Sequence, residues 1–256
     1  MIVTEHVEEY INSMEQDLPD YLAELEAYAN ENGVPIIRRS MQTFLKFLLI
    51  KDKPKRILEI GAAIGFSSLY MKEYAPADCR ITTIEKVEMR LEQARKNLRG
   101  KEGIELIEGD ATEVLRKLAD SISEEPSGEE SMGRNNPDKE ICDNKEIESD
   151  SAENNTADKF QKESGRFDWV FLDAAKGQYQ SWLPDILKLL KPGGMLITDN
   201  VLLEGTIAES KFSIERRDRT IHMRMREYLY ELTHREDLET VILPVGDGVS
   251  LSIKKV

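Results

Sequence analysis

Arg56-Ile-Leu-Glu-Ile-Gly-Ala-Ala-Ile-Gly65 is the stretch from which the fold can be read. Ile57, Leu58 and Ile60 have the character of a short buried strand. Gly61 and Gly65 follow at once, and Phe66, Leu69 and Tyr70 then recur at helical spacing. A strand that ends in glycines and runs into a helix makes a ligand cradle at the carboxyl edge of a parallel sheet. The spacing is G-x-x-x-G, not the dinucleotide G-x-G-x-x-G. Glu59 lies inside the strand, just before the turn, where a carboxylate could face the loop.

Upstream, residues 3–31 have helical periodicity, with Val7, Tyr10, Ile11 and Met14 on one face and Leu22, Leu25 and Tyr28 on another. Asn32-Gly33 and Pro35 stop that pattern. Ser40 is placed to N-cap a helix carrying Phe44, Leu45, Leu48 and Leu49, which Lys53-Pro54 ends. Downstream, strands and helices alternate. Strands are expected over 80–84, 104–107, 167–172 and 195–198, and helices over 87–98, 111–118 and 179–190. After residue 200 a long helix over 216–232 precedes two strands, 238–244 and 249–254. They are joined by Gly246-Asp-Gly248 without an intervening helix, so they should be antiparallel. The expected fold is α/β: a doubly wound, mostly parallel seven-stranded sheet of Rossmann-like type that ends in an antiparallel hairpin. Helices within 1–52 would pack on a body spanning 53–256.

With 256 residues the chain can bury a sizeable core. No run of eighteen apolar residues offers a membrane span, and the acidic N-terminus is unlike a secretory signal. Cys79 and Cys142 lack metal-type spacing, so a cytoplasmic location is expected. The net charge is −14, of which residues 121–165 carry −8. That segment is rich in Glu, Ser, Asn and Asp and poor in large apolar residues. It is expected to be a disordered acidic insertion.

Acids recur in register with the glycine cradle. Glu85, Asp110, Asp173 and Asp199 each fall at the carboxyl end of a different expected strand, the edge where ligands of open α/β sheets bind. One such acid is often a helix cap, and Asp110 alone invites that reading. Glu85 is suited to ribose hydroxyls and Asp110 to the exocyclic amine of a base. The cradle has no Gly-Lys-Ser/Thr for a triphosphate, and Glu59 adds negative charge suited to a cationic or zwitterionic tail. These features point to S-adenosylmethionine. Asp173, Asp199 and Asn200 form a second set of hard oxygen donors suited to Mg²⁺, with Lys176 placed to help deprotonate a substrate hydroxyl.

Glu59–Gly65, Ile84-Glu85, Gly109-Asp110-Ala111, Phe171–Lys176 and Ile197–Val201 together resemble, in order, the motifs of the metal-dependent catechol/caffeoyl-CoA O-methyltransferases of class I. The resemblance implies Asp173, Asp199 and Asn200 as Mg²⁺ ligands. It implies Met41, Gly61, Ser67 or Ser68, Glu85, Asp110 and Asp173 around the cofactor, beside Glu59, Gly65 and Ala111 of the same motifs. It suggests Lys176, with Asp173, as catalytic, and a homodimer as the assembly.

A Mg²⁺ site open to substrate suits two vicinal oxygens, as in a catechol or a 5-hydroxyuridine. Arg216, Arg217, Arg219, His222, Arg224 and Arg226, with Arg38 and Arg39, form a cluster able to bind phosphates. The run from Arg216 to Arg226 is similar to the bacterial tRNA 5-hydroxyuridine O-methyltransferases. That implies tRNA as partner and 5-methoxyuridine at the wobble position as product. The alternatives are a small catechol-like substrate and a non-catalytic S-adenosylmethionine-binding protein.

Overall fold

A computed structural model describes residues 4–123 and 165–256. The expected acidic insertion lies almost wholly outside the described residues. The strands are β1 (Arg56–Ile60), β2 (Arg80–Glu85), β3 (Ile104–Glu108), β4 (Phe167–Leu172), β5 (Leu190–Thr198), β6 (Leu238–Leu243) and β7 (Val249–Lys254). The helices are α1 (Glu5–Ser13), α2 (Asp20–Glu31), α3 (Arg39–Asp52), α4 (Phe66–Tyr74), α5 (Glu88–Leu98), α6 (Ala111–Ser123), α7 (Tyr179–Leu189) and α8 (Arg219–His234).

The strands form one seven-stranded sheet in the order β3-β2-β1-β4-β5-β7-β6. The first five are parallel, and β7 runs antiparallel to both β5 and β6. The winding reverses between β1 and β4, which makes the gap beyond their carboxyl ends the natural ligand crevice. Both central strands are buried on both faces, which explains why they read as continuous apolar runs. Strand alternation divides their side chains between two cores. Leu58, Ile60, Val170 and Leu172 pack with Leu115, Leu183, Met225 and Leu232 on the side of α6, α7 and α8. Ile57, Trp169 and Phe171 pack with Leu22, Leu45, Leu49 and Phe66 on the side of α2, α3 and α4. Among the described residues no helix is long and apolar enough to cross a membrane.

Several boundaries depart from the sequence expectation for local reasons. The first helical stretch is two helices, because Pro19 disfavours helical backbone at Leu18 and itself precedes α2. Ser40 lies within the first turn of α3 and caps nothing; Arg38 occupies the cap position. The last helix begins at Arg219 rather than Arg216. The preceding residues form turns, and the Arg219 guanidinium donates to Ile214 O at 3.0 Å and Phe212 O at 3.5 Å. β5 starts at Leu190, which pairs with Phe167 before a register shift.

At the opposite edge of the sheet, Asp168 ties β4 to β1. Its Oδ2 accepts from the Lys55 and Arg56 backbone N–H groups, both at 2.9 Å, and its Oδ1 from Lys191 Nζ at 2.8 Å. Burial opposes its ionisation, but Lys191 and the two N–H donors outweigh that and hold the carboxyl below its usual range. A depressed folded pKa gives stability that is present above the unfolded pKa, about 3.9, and is lost as pH falls through the folded value. Asp168→Ala should therefore cost about 1–3 kcal/mol at pH 7. Urea melts at pH 7 and near pH 3 should show the deficit shrinking in acid; a deficit unchanged with pH would count against the ion pair.

Candidate active site

The carboxyl ends of β1 to β5 converge on a cavity of about 560 Å³. Gly61, Ala62, Ala63 and Ser67 line it after β1, Glu85 after β2, Asp110 and Ala111 after β3, Asp173 and Lys176 after β4, and Asp199 and Asn200 after β5. Ile36 and Ile37, from the connection between α2 and α3, wall one side, and Trp182 of α7 another.

The cradle is held by backbone hydrogen bonds. Gly61 N and Ala62 N both donate to Ile84 O at 3.0 Å. Glu85 fastens the loop from beside: its Oε2 accepts from Ala63 N, and its Oε1 from Lys86 N and Val87 N, all at 2.9 Å. A carboxylate has about four lone-pair sites, so Glu85 keeps capacity for a ligand hydroxyl. Asp110 does cap α6, accepting from Thr112 N at 2.8 Å, and it pairs with Lys86 Nζ at 2.9 Å while still lining the cavity.

Four residues expected at the cofactor do not line the cavity. Strand alternation turns Glu59 to the same side of β1 as Ile57, under the cradle instead of into the loop. There the carboxyl is fully buried and accepts from Ser68 Oγ and, at 2.5 Å, from Thr83 Oγ1. Burial raises its pKa; hydroxyls of Ser67, Ser68 and Thr83 oppose that, and the charge of Asp173 adds to it. Ser68 is therefore engaged with Glu59. Gly65 heads α4 and packs on Leu98, and Met41 belongs to the core beneath.

The acids after β4 and β5 face one another electrostatically. Asp173 N donates to Ile60 O at 3.1 Å and Asp199 N to Leu172 O at 3.0 Å, so each acid is pinned to the neighbouring strand. Burial raises the Asp173 carboxyl, with Lys176 and Arg90 opposing. Asp199 is 2% exposed, and its carboxyl is pushed up to about 8 by burial and then by the charge of Asp173. The Asn200 N–H opposes this rise, Asp247 adds to it, and Lys176 opposes it. Asn200 itself holds φ +57, uncommon for a residue with a side chain. Two repelling carboxylates beside an amide are a donor set that fits a divalent cation preferring oxygen. Among the described residues no group of three or more His, Cys, Asp or Glu side chains is arranged for a metal, and this set has two such acids completed by an amide.

The residues that support this edge were not evident from the sequence. Tyr179 clamps Ala174, accepting from its N–H at 3.1 Å and donating to its carbonyl at 3.2 Å. Tyr228 and Thr198 hydroxyls meet at 2.7 Å, and Tyr228 packs edge-on against Tyr179. Their helical spacing reads simply as core. Arg90 and Asp247 belong to stretches read as a helix and a turn.

The basic set is dispersed. His222 is 1% exposed and its Nε2 lies 3.1 Å from Thr206 O, so it presents no surface to a nucleic acid. Arg38 pairs with Glu204, Arg39 with Glu26, and Arg217 with Glu215 and Asp218. Arg226 donates to Glu209 O at 3.2 Å, and Arg224 to Gly177 O at 2.9 Å in the turn after Lys176. Arg216 is exposed.

A glycine-ended first strand, an acid after each following parallel strand and an antiparallel end together define a Rossmann-like methyltransferase fold. The chain belongs to the O-methyltransferase family, whose model matches residues 12–129 and 129–255. It is an S-adenosylmethionine-dependent O-methyltransferase, and the proteins it is similar to include catechol and caffeoyl-CoA O-methyltransferases. It is similar to the catechol O-methyltransferase of Niastella koreensis (strain DSM 17620 / KACC 11465 / NBRC 106392 / GR20-10), 24% identical over 213 residues, covering 81% of this chain and 77% of that protein. A Staphylococcus aureus structure provisionally described as a caffeoyl-CoA O-methyltransferase superposes with a TM-score of 0.74 at 26% identity, covering 98% of this chain and 100% of that one. The O-methyltransferase TomG of Streptomyces achromogenes, solved with S-adenosylmethionine, shares the fold with a TM-score of 0.70 at 22% identity, covering 99% and 100%.

Proposed function

We propose that this methyltransferase acts on the 5-hydroxyl of 5-hydroxyuridine at the wobble position of tRNA, giving 5-methoxyuridine, and that it is Mg²⁺-dependent. The observation that carries the reading is the gathering of Asp173, Asp199, Asn200 and Lys176 around the end of a cavity bounded by the glycine cradle. Asp173, Asp199 and Asn200 would hold the ion, which when bound lowers the pKa of a substrate hydroxyl.

The chain's own groups do the rest. Gly61, Ala62 and Ala63 let the backbone approach the methionyl part of the cofactor, with Glu85 taking the ribose and Asp110 the base. Ile36, Ile37 and Trp182 limit water. The Lys176 ammonium, beside the substrate hydroxyl, stabilises the oxyanion as the hydroxyl proton passes to solvent water. That oxygen attacks the sulfonium methyl; the new O–CH₃ bond forms as S–CH₃ breaks, and sulfur keeps the electron pair as a thioether. Positioning dominates such a transfer.

For the substrate, the support is the basic helix beside the site. Arg224 rests on the turn that follows Lys176, and Arg216 and Arg217 are exposed just before α8. A guanidinium carries five N–H donors, so Arg224 and Arg226 keep donors beyond their carbonyl contacts. A small catechol is the second reading, favoured by the local partners that most of these arginines already have. The enzyme would act as a homodimer; Tyr10 of α1 and Met14 just beyond its end lie exposed.

The test is incubation with methyl-labelled cofactor and Mg²⁺, offering hydroxyuridine-containing tRNA or a catechol panel. Label is expected in tRNA. Label in catechol with none in tRNA would overturn the substrate, and cofactor binding with no transfer to any vicinal oxygen pair would favour the non-catalytic alternative. Arg216→Ala with Arg217→Ala should raise the KM for tRNA about tenfold at moderate salt and flatten its salt dependence, leaving cofactor affinity unchanged. Equal loss of both would count against an RNA surface there.

A further inference from the structure

We propose that Asp247 is a positioning residue for methyl transfer, holding the Lys176 ammonium away from the Asp173/Asp199 pair and fixing the turn beside it. The inference rests on the role given to Lys176 above.

Asp247 sits in the turn between β6 and β7 and is 5% exposed. The turn is tight, with Gly248 N donating to Val245 O at 2.8 Å. Gly248 has φ +83, and a Cβ there would come within 2.2 Å of the Leu202 side chain, so the turn seats directly on the segment that follows Asn200. Three hydrogen bonds join the two. Val201 N donates to Gly248 O at 2.9 Å, Leu202 N to Asp247 O at 3.0 Å, and Glu204 N to Asp247 Oδ1. The last bond matters because Leu203 and Glu204 are consecutive residues with φ +50 and +56. Non-glycine residues there are strained and persist only when the surroundings hold them. Glu204 in turn reaches Arg38 at 3.4 Å, linking this turn to the start of α3.

The second oxygen of Asp247 faces the chemistry. Its Oδ2 lies 3.9 Å from Lys176 Nζ, and among the described residues this is the only ion pair Lys176 makes. Lys176 is also within electrostatic reach of Asp173 and Asp199. A lysine side chain has four methylenes and much rotamer freedom, so without another anchor its ammonium would settle on those two acids. There it would compete with a cation for their oxygens. Asp247 offers a third carboxylate, 3.9 Å from the ammonium and itself held by the Glu204 N–H. It thereby keeps Lys176 near the substrate while leaving the pair open, and with its other oxygen it holds the neighbouring turn.

Asp247→Asn separates the two jobs: the amide oxygen can still accept from Glu204 N, but the charge facing Lys176 is gone. The direct readout needs no substrate. Trace acetylation of the full-length protein, followed by mass spectrometry, gives the reactivity of Lys176 relative to an exposed lysine such as Lys211. In Asp247→Asn that ratio is expected to change severalfold, and an unchanged ratio would overturn the contact. In turnover, kcat is expected to fall about 10–100-fold, with the cofactor Kd and thermal midpoint close to wild type. A kcat within twofold of wild type would overturn the positioning role. Asp247→Glu, which restores the charge one methylene further out, should recover part of the kcat; recovery no better than Asn would also count against it. Wild-type protein that transfers methyl to neither tRNA nor catechol would sink the assigned reaction, while the acetylation ratio still decides the Asp247–Lys176 contact.

Discussion

Asp199→Asn is expected to lower the rate of methyl transfer by about 10³-fold while making the metal-free protein more stable. The two effects have one cause. Asp199 and Asp173 are desolvated and repel each other, and the Asp199 carboxyl is pushed up to about 8. In the unfolded chain the same group titrates near 3.9. The folded protein therefore binds this proton more tightly than the unfolded one. The stability that goes with it is fully present below about pH 4 and is lost as pH rises towards 8. Asparagine does not ionise and escapes that loss. Urea melts in EDTA should show the variant gaining on wild type between pH 5 and pH 8. Adding Mg²⁺ should then stabilise wild type and leave the variant unmoved, since only a species that binds the folded state raises its stability. An Asn variant that loses stability and activity together would make Asp199 a structural residue and remove the reason to place a cation beside it.

The sequence makes this arrangement partly legible because a parallel sheet brings all its strand ends to one edge. With strands that end at Gly61, Glu85, Asp110, Asp173 and Asp199, convergence on one cavity needs only the topology. What stayed hidden depended on facts that strand and helix periods do not encode. The face taken by Glu59 follows from where β1 begins, and a one-residue difference sends the carboxyl under the cradle or into it. Asp247 reads as the middle of a Gly-Asp-Gly turn. Its meeting with Lys176 depends on β7 inserting beside β5, a long-range pairing with no local signature. The arginines around α8 read as one cluster. In the fold, Arg219, Arg224 and Arg226 close open carbonyls of neighbouring turns, and His222 points into the core.

Gly61→Ala should be the most damaging single-methyl addition, because at this position the cradle and the β4 acid share the same space. Gly61 has φ +106, and a Cβ there would lie 2.1 Å from the Asp173 carbonyl oxygen and 3.2 Å from the Ala174 Cβ. The obstacle is backbone, and it has little freedom to move. Asp173 N is bonded to Ile60 O at 3.1 Å, and Tyr179 holds Ala174 from the other side. Overpacking and left-handed backbone strain together are expected to cost about 3 kcal/mol or more. Whichever way the clash is relieved, function suffers: either Gly61–Ala63 lifts away from the cofactor, or Asp173 turns away from Asp199. Cofactor affinity should thus fall by at least tenfold under conditions where the variant remains folded, measured by calorimetry with S-adenosylhomocysteine. Gly193→Ala supplies the control. Its φ of +76 imposes a similar backbone penalty, but nothing lies within 4 Å of its added methyl. It should cost about 1 kcal/mol and leave cofactor affinity intact. Similar losses of affinity in both variants would show that positive φ alone matters, and would remove the close approach of cradle and acid as the reason glycine stands at position 61.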